Sequence, residues 1–422
     1  MTPPDGLPSH LGGVQAPASA DRPGRELWPA AFVFDGLGRP RRDAAVLVQV
    51  TPEPARLLAV GPLSVLRETN PGVRERPAVE VLAPAPVNAH THLDLSDMAL
   101  TAGDYARFVA AVVAHGRSGR RGRDAAVAGL AELRAAGTST VGDIVTDEEV
   151  LALLLDAPDL RGVAYWEVLG PDPDDADARF AEVVDLVRRF RARERPGGVR
   201  LGLSPHAPHT VSAPLLQRIA AYARRERLPL QIHVAEDPGE DRLHRTGAGP
   251  LREALAPFLG AFRPSGMSPV GYLDDLGVLQ ARPTLVHGVH VDMDDLRRIQ
   301  RAGCVVVHCP RSNALLGCGT FPWAAYARVG VSVALGTDSR GSAPSLSVVD
   351  EWAAARAVHG AAADPTQLVW AAVKGGHRAL GTEPPLLQRG ALASALAAWP
   401  PAAPWPPRSP AGAMGDVTEP PA

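Results

Sequence analysis

Pro86-Val87-Asn88-Ala89-His90-Thr91-His92-Leu93-Asp94 is the stretch on which the reading of the fold turns. Its two histidines stand at i and i+2, just after the apolar run Val79, Val81, Leu82 and Ala83. Side chains alternate between the two faces of a strand, so both imidazoles leave the same face. That is half of a metal site. A His-x-His pair also arises by chance, or as a satisfied pair at a strand end, so the rest of the chain has to decide.

Downstream, strand and helix patterns alternate. The strand candidates are Val79–Val87, Thr138–Val145, Gly162–Leu169, Val199–Pro205, Pro229–Ala235, Pro283–Val289, Cys304–His308 and Val331–Gly336. Between them lie stretches such as Asp124–Ala136, Asp175–Glu194, Ala213–Leu228 and Asp292–Ala302, whose apolar residues recur three and four apart, as helices require. Eight β-then-α units argue an α/β protein built on a (β/α)8 TIM-type barrel, because each parallel strand needs a crossover and a closed barrel leaves no edge. An open doubly wound sheet is the competing fold, but no Gly-x-Gly-x-x-Gly phosphate loop follows the first strand.

The flanks read differently. Residues 1–26 lack apolar periodicity and are expected to be a disordered tail. Residues 27–78 hold short apolar runs between Gly, Pro and charge clusters, the pattern of a small β domain expected to form a β-sandwich companion built mainly from this N-terminal segment. The barrel is expected over 79–385, a return to the small domain over 386–399, and a second disordered tail, rich in Pro, Ala and Gly, over 400–422.

Composition narrows the function. With 422 residues, 45% hydrophobic and 21% charged, the chain can bury a sizeable core. A formal charge of −3 gives no footprint for nucleic acid or an anionic membrane surface, which leaves a small-molecule substrate as the expected partner. No membrane span or secretory signal is visible, so the expected compartment is the cytoplasm. Cys304, Cys309 and Cys318 lack Cys-x-x-Cys spacing and fit reduced, buried thiols.

In a barrel the chemistry gathers at the C-terminal ends of the strands. His90 and His92 fall at the end of the first, His206 and His209 at the fourth, His233 and Glu236 at the fifth, His287 at the sixth and Asp338 at the eighth, while Arg311-Ser312-Asn313 follows the seventh. Each has an ordinary reading: His206 or His209 as a turn cap, Glu236 as a solvated acid, Asp338 as a helix N-cap. Together they are hard to explain structurally, since an unpaired buried polar group costs roughly 2–7 kcal/mol on transfer scales. A metal removes the difficulty.

His90-Thr91-His92, Ser204-Pro205-His206, His233-Val234-Ala235-Glu236, Leu285-Val286-His287-Gly288, His308-Cys309-Pro310-Arg311-Ser312-Asn313 and Gly336-Thr337-Asp338-Ser339 resemble, in order, the motifs of the amidohydrolase superfamily, in its branch of mononuclear deaminases and chlorohydrolases. The resemblance implies that His90, His92, His233 and Asp338 hold one divalent metal ion, zinc or iron. It further implies that Asp338 takes a proton from the attacking water, that His287 orients it, and that Glu236 carries a proton to the ring nitrogen and the leaving ammonia. Binuclear relatives carry a carboxylated lysine on the fourth strand. Here Lys374 is the sole lysine and lies past the eighth.

Substrate recognition is expected from His206 and Asn313, which match positions that contact the purine or ribosyl part, and from Arg311 and Arg340, either of which suits a substrate carboxylate. The expected activity is thus hydrolytic deamination of an aminated purine nucleoside, with 6-aminodeoxyfutalosine favoured by the arginines. S-adenosylhomocysteine, adenosine derivatives, guanine, a chlorohydrolase-like reaction and a non-catalytic metal-containing barrel remain open. Homodimers are common among similar proteins, but no residue specifies an interface. The basic run His115–Arg121 reads either as a lid or as a solvated loop.

Overall fold

The structure, a computed structural model, describes residues 24–36, 38–51 and 53–399. The tails expected over 1–26 and 400–422 therefore lie outside the described residues, apart from Gly24, Arg25 and Glu26; the last two already belong to the first strand.

Strands β1 (Arg25–Val33), β2 (Arg41–Gln49), β3 (Arg56–Pro62), β4 (Arg74–Glu75) and β5 (Val79–Pro84) come first. They form one mixed sheet in the order β5-β1-β2-β3, with β4 on β1. A further strand at the end of the described chain, Leu396–Trp399, pairs antiparallel with β5. Among the described residues this is a single sheet, not the two of a sandwich. One face buries Trp28, Val46, Val48 and Leu57 and the other Leu27, Ala45, Leu47 and Leu66, the last from the helix Leu63–Thr69.

The run expected as one strand over Val79–Val87 is two. Pro84 and Pro86 remove backbone donors and end the first pairing, so β5 stays in the mixed sheet. The chain then starts β6 (Val87–His92), which carries the paired histidines and is buried throughout.

Seven parallel strands follow in sequence: β7 (Thr140–Val145), β8 (Arg161–Val168), β9 (Val199–Pro205), β10 (Gln231–Val234), β11 (Thr284–His287), β12 (Val305–His308) and β13 (Ser332–Leu335). Apart from three residues, Trp166, Glu167 and Arg200, and the ends of β8 and β13, they are buried on both faces, as strands flanked by crossover helices must be. They lie in two arcs, β6-β7-β8-β9 and β10-β11-β12-β13. The arcs touch at Leu203, whose N–H donates to Pro229 O at 2.9 Å. On the other side the short strand β14 (Asp338–Ser339), which follows β13 directly, sets Asp338 opposite Thr91 of β6.

Helices between the strands start and stop by local chemistry. Asp292 caps Met293–Ala302 by accepting from the N–H groups of Asp294 and Asp295, and Gly303, at φ 70°, ends it in the left-handed conformation. Leu296 and Ile299 form its buried stripe. Among the helices not anticipated from the sequence, Tyr105–Arg117, capped by Asp104, contains the first half of the basic run.

Candidate active site

Six of the expected residues meet at the strand ends. His90 and His92 leave β6 on one face, with ring centroids 4.9 Å apart, and His233 lies 4.9 Å from His90 and 5.6 Å from His92. Asp338 Oδ1 is 3.5 Å from Nε2 of both His90 and His92. His287 Nε2 is 3.5 Å from Glu236 Oε2, and one ligand atom each of Glu236, His287 and Asp338 lies within 4.8 Å of the others.

Second partners fix the rings. His90 Nδ1 donates to Gln231 Oε1 at 2.6 Å, and the Gln231 amide donates to Ala89 O, so the His90 lone pair is on Nε2. His233 Nδ1 donates to His206 O at 3.0 Å, and His287 Nδ1 to Asn313 Oδ1 at 3.0 Å. Burial holds the imidazoles of His92 and His233 well below the usual range and brings His287 down to about 4, so all three are neutral near pH 7.

The carboxyls move in opposite directions. Burial, with Asp338 and Glu240 nearby, pushes Glu236 well above the ordinary carboxylate range. Burial also opposes ionisation of Asp338, but the close approach of the His90 ring, with those of His92 and His287 around it, outweighs burial and holds that carboxyl well below. Asp338 Oδ2 accepts from Ser312 and Ser342 at 2.7 and 2.9 Å. Among the described residues six non-glycine positions have positive φ; three of them, Ala235, His287 and Asp338, are here, where the backbone bends to aim a side chain.

The donor set fits a metal ion. The Nε2 of His90 and the Nδ1 of His92 are buried without a hydrogen-bond partner, and three imidazoles beside a carboxylate are the ligand types zinc or iron takes.

A cavity of about 360 Å³ opens onto this cluster. Tyr105, Phe108, Val109 and Val112 from the helix Tyr105–Arg117 cover it, and Arg117, Arg121, Glu167, His206 and His209 add polar groups to its wall. Three expected substrate contacts do not line it. Arg311 is buried and pairs with Glu351 at 2.6 Å, its remaining N–H groups going to Ser345 and Ser347, so it has no hand free for a ligand. Arg340 points to Glu132 at 3.3 Å. Asn313 stands behind His287 and holds its ring.

Several residues at the site escaped the sequence reading. Gln231 sits two positions before His233, on the same strand face, which the strand's period of two could have exposed. Glu240 accepts from the N–H groups of Ala235, Glu236 and Asp237 and so shapes the loop bearing Glu236. The run Asp237-Pro238-Gly239-Glu240 carries that signal as a capping box. Tyr105 had no such mark, because it reaches the cavity from a helix far from the strand-end motifs, whereas Arg121 belongs to the basic run and takes its place on the wall through tertiary contacts.

Parallel strands with such a cluster at their C-terminal ends define a metal-dependent hydrolase. A model described as the Amidohydrolase family matches residues 81–397, and the chain belongs to that family, hydrolases of C–N bonds. An aminodeoxyfutalosine deaminase of Deinococcus radiodurans is 47% identical over 367 residues, which are 85% of this chain and 86% of that protein. The crystal structure of Helicobacter pylori aminofutalosine deaminase with methylthio-coformycin superposes with a TM-score of 0.67 at 22% identity, covering 87% of this chain and 90% of that one. An adenosine deaminase from Xanthomonas campestris with bound zinc gives 0.63 at 25% identity, covering 89% and 84%.

Proposed function

We propose that the protein deaminates a 6-aminopurine nucleoside bearing a carboxylate, with 6-aminodeoxyfutalosine, a menaquinone precursor, as the substrate. The observation that carries this reading is the pair of carboxyls facing one cavity with their acidities pushed apart, Glu236 upward and Asp338 downward. Similarity to the deaminase of Deinococcus radiodurans across most of both chains supports the substrate.

In this reading His90, His92, His233 and Asp338 hold one divalent ion, zinc or iron. Such an ion, when bound, acts as a Lewis acid and lowers the pKa of water to about 7. Asp338 accepts the proton of the attacking water and His287 orients that water by a hydrogen bond. Glu236, protonated before reaction, gives its proton to the purine N1 as water adds to C6. Glu236, now a carboxylate, takes the proton of the added hydroxyl and passes it to the amino group as C6=O forms, the C6–N bond breaks, and ammonia leaves. The proton held by Asp338 then returns Glu236 to its acid form. His206 lies along the cavity wall and contacts the purine. The cations of the wall are Arg117 and Arg121. Arg117 is exposed and makes no ion pair among the described residues, which suits it to the substrate carboxylate better than Arg311 or Arg340.

The two arcs are read here as one closed (β/α)8 barrel, with the mixed sheet as a separate small unit whose boundary falls after Pro84 instead of at residue 79. Ammonia release from 6-aminodeoxyfutalosine, 5′-methylthioadenosine, S-adenosylhomocysteine and guanine, using metal-quantified protein beside Glu236→Gln, tests the function. Turnover of the carboxylate-bearing purine, lowered by about 10²–10⁴ in the variant with metal retained, is the expected result. Silence across the panel from protein holding one metal ion refutes it.

A further inference from the structure

His209 comes from the turn after β9, three residues past His206, and lines the same cavity. It is 1% exposed, and neither ring nitrogen has a hydrogen-bond partner. The ring beside it, His244, is fully buried with both nitrogens equally unpartnered, its centroid 5.8 Å away. His244 does not reach the cavity; it packs between Phe262 and Tyr272. Of the two rings His209 is the one on the cavity wall.

A neutral imidazole offers one N–H donor and one lone pair. Burying both without partners costs about 1–3 kcal/mol for each group, a penalty that a phenylalanine in the same space avoids. The surroundings are apolar, since Tyr105, Leu255 and Phe258 share the wall. Two neighbouring polar groups of the wall are engaged: Thr210 Oγ1 bonds His206 Nδ1 at 2.8 Å and Ala207 O, and Arg121 Nε donates to Asp94 at 2.8 Å. The ring is neutral because burial, with His244 and His206 nearby, opposes its protonation. A carboxylate can only accept and would use one nitrogen. A hydroxyl both accepts and donates, and a vicinal diol engages both.

We propose that His209 binds a hydroxyl of the substrate's sugar and thereby selects ribonucleosides over free bases and deoxynucleosides. The inference rests on reading the site as a purine nucleoside deaminase, and its test separates the two.

kcat/KM is measured for wild type, His209→Phe and His209→Asn on 6-aminodeoxyfutalosine and 5′-methylthioadenosine, on their 2′-deoxy and 3′-deoxy forms, and on adenine. Loss of the contacted hydroxyl lowers the wild-type value at least tenfold, chiefly through KM. In His209→Phe the ribose and deoxyribose forms differ less than about threefold, with metal content and melting temperature kept or raised. His209→Asn, smaller but still a donor and an acceptor, retains part of the preference and decides the case if the phenylalanine variant does not fold. A variant that keeps the full wild-type preference overturns the proposal, as does a wild type that deaminates deoxy forms or adenine equally well. A wild type inactive on every purine refutes the nucleoside reading itself, and this inference with it.

Discussion

Gln231 illustrates how one uncharged residue sets the chemistry of a charged site. Its amide oxygen takes the Nδ1 proton of His90 while its amide nitrogen is tied to Ala89 O, so neither group can flip without losing a bond. The lone pair of His90 is thereby aimed along Nε2 toward Asp338. Gln231→Leu keeps the volume and the strand but leaves His90 Nδ1 and Ala89 O unpartnered and frees the ring to rotate or change tautomer. Metal affinity, measured by competition with a chelator, is expected to fall about 10–100-fold, and the metal-free protein to lose about 1–3 kcal/mol of stability. Unaltered affinity in the leucine variant would sink this role for Gln231. Asn313 does the same for His287, which makes it a positioning residue and explains why a side chain expected at the substrate is found one layer behind it.

The helix Pro310–Leu315 shows what a strand-end motif can and cannot disclose. Arg311 stands in its first turn and donates through its backbone N–H and its Nε to Glu351, 40 residues away. Both side chains are almost fully buried, so Arg311→Ala strands a carboxyl in the interior. The expected loss is about 3–5 kcal/mol in urea unfolding near pH 8, with KM for carboxylate substrates unchanged in the protein that remains folded. The sign of the pH dependence follows from Glu351, which burial pushes up to about 7 even with Arg311 present. A carboxyl whose folded pKa lies above its unfolded value binds more protons when folded, so stability rises as pH falls from about 7 toward 4.5. Without the guanidinium that displacement grows, and the deficit of the variant should shrink between pH 8 and pH 5. A deficit that stays constant across this range, or a raised KM at wild-type stability, would return Arg311 to the substrate. The gathering of His90, His92, His233 and Asp338 was legible in the sequence because the strand's period and the position of each motif at a strand end both constrain where they point. Arg311, Arg340 and Asn313 were not, since the turns after a strand can aim a side chain inward or outward and their partners are set by tertiary contacts. The division of Val79–Val87 was written in Pro84 and Pro86, but only the pairing of β5 with β1 reveals to which sheet the first piece belongs.

At the scale of the molecule, the histidine–aspartate cluster sits where the end of the parallel array returns to its beginning. After β13 the chain passes Gly336 and Thr337, whose N–H groups donate to His308 O and His90 O, each at 3.1 Å, before Asp338 pairs with β6. Asn88 adds a 2.8 Å bond to the Thr337 hydroxyl. The last strand segment and the first therefore hold each other, and each supplies residues of the candidate metal site. Gly336 is needed because a Cβ there would stand 2.9 Å from both His90 O and His90 Cβ and 2.8 Å from Val307 Cγ1. The carbonyl is backbone in a buried ladder and cannot turn aside, so Gly336→Ala must separate the two strands or shift His90. Overpacking of this kind costs about 1–3 kcal/mol. Here its consequence is double: the urea midpoint falls and metal affinity falls with it, because His90 and Asp338 lie on the two sides of the strained contact. Added metal should recover part of the lost stability, since a ligand that binds only the folded state stabilises it by mass action. Loss of stability with metal affinity intact would mean that His90 and Asp338 are held in place independently of this junction.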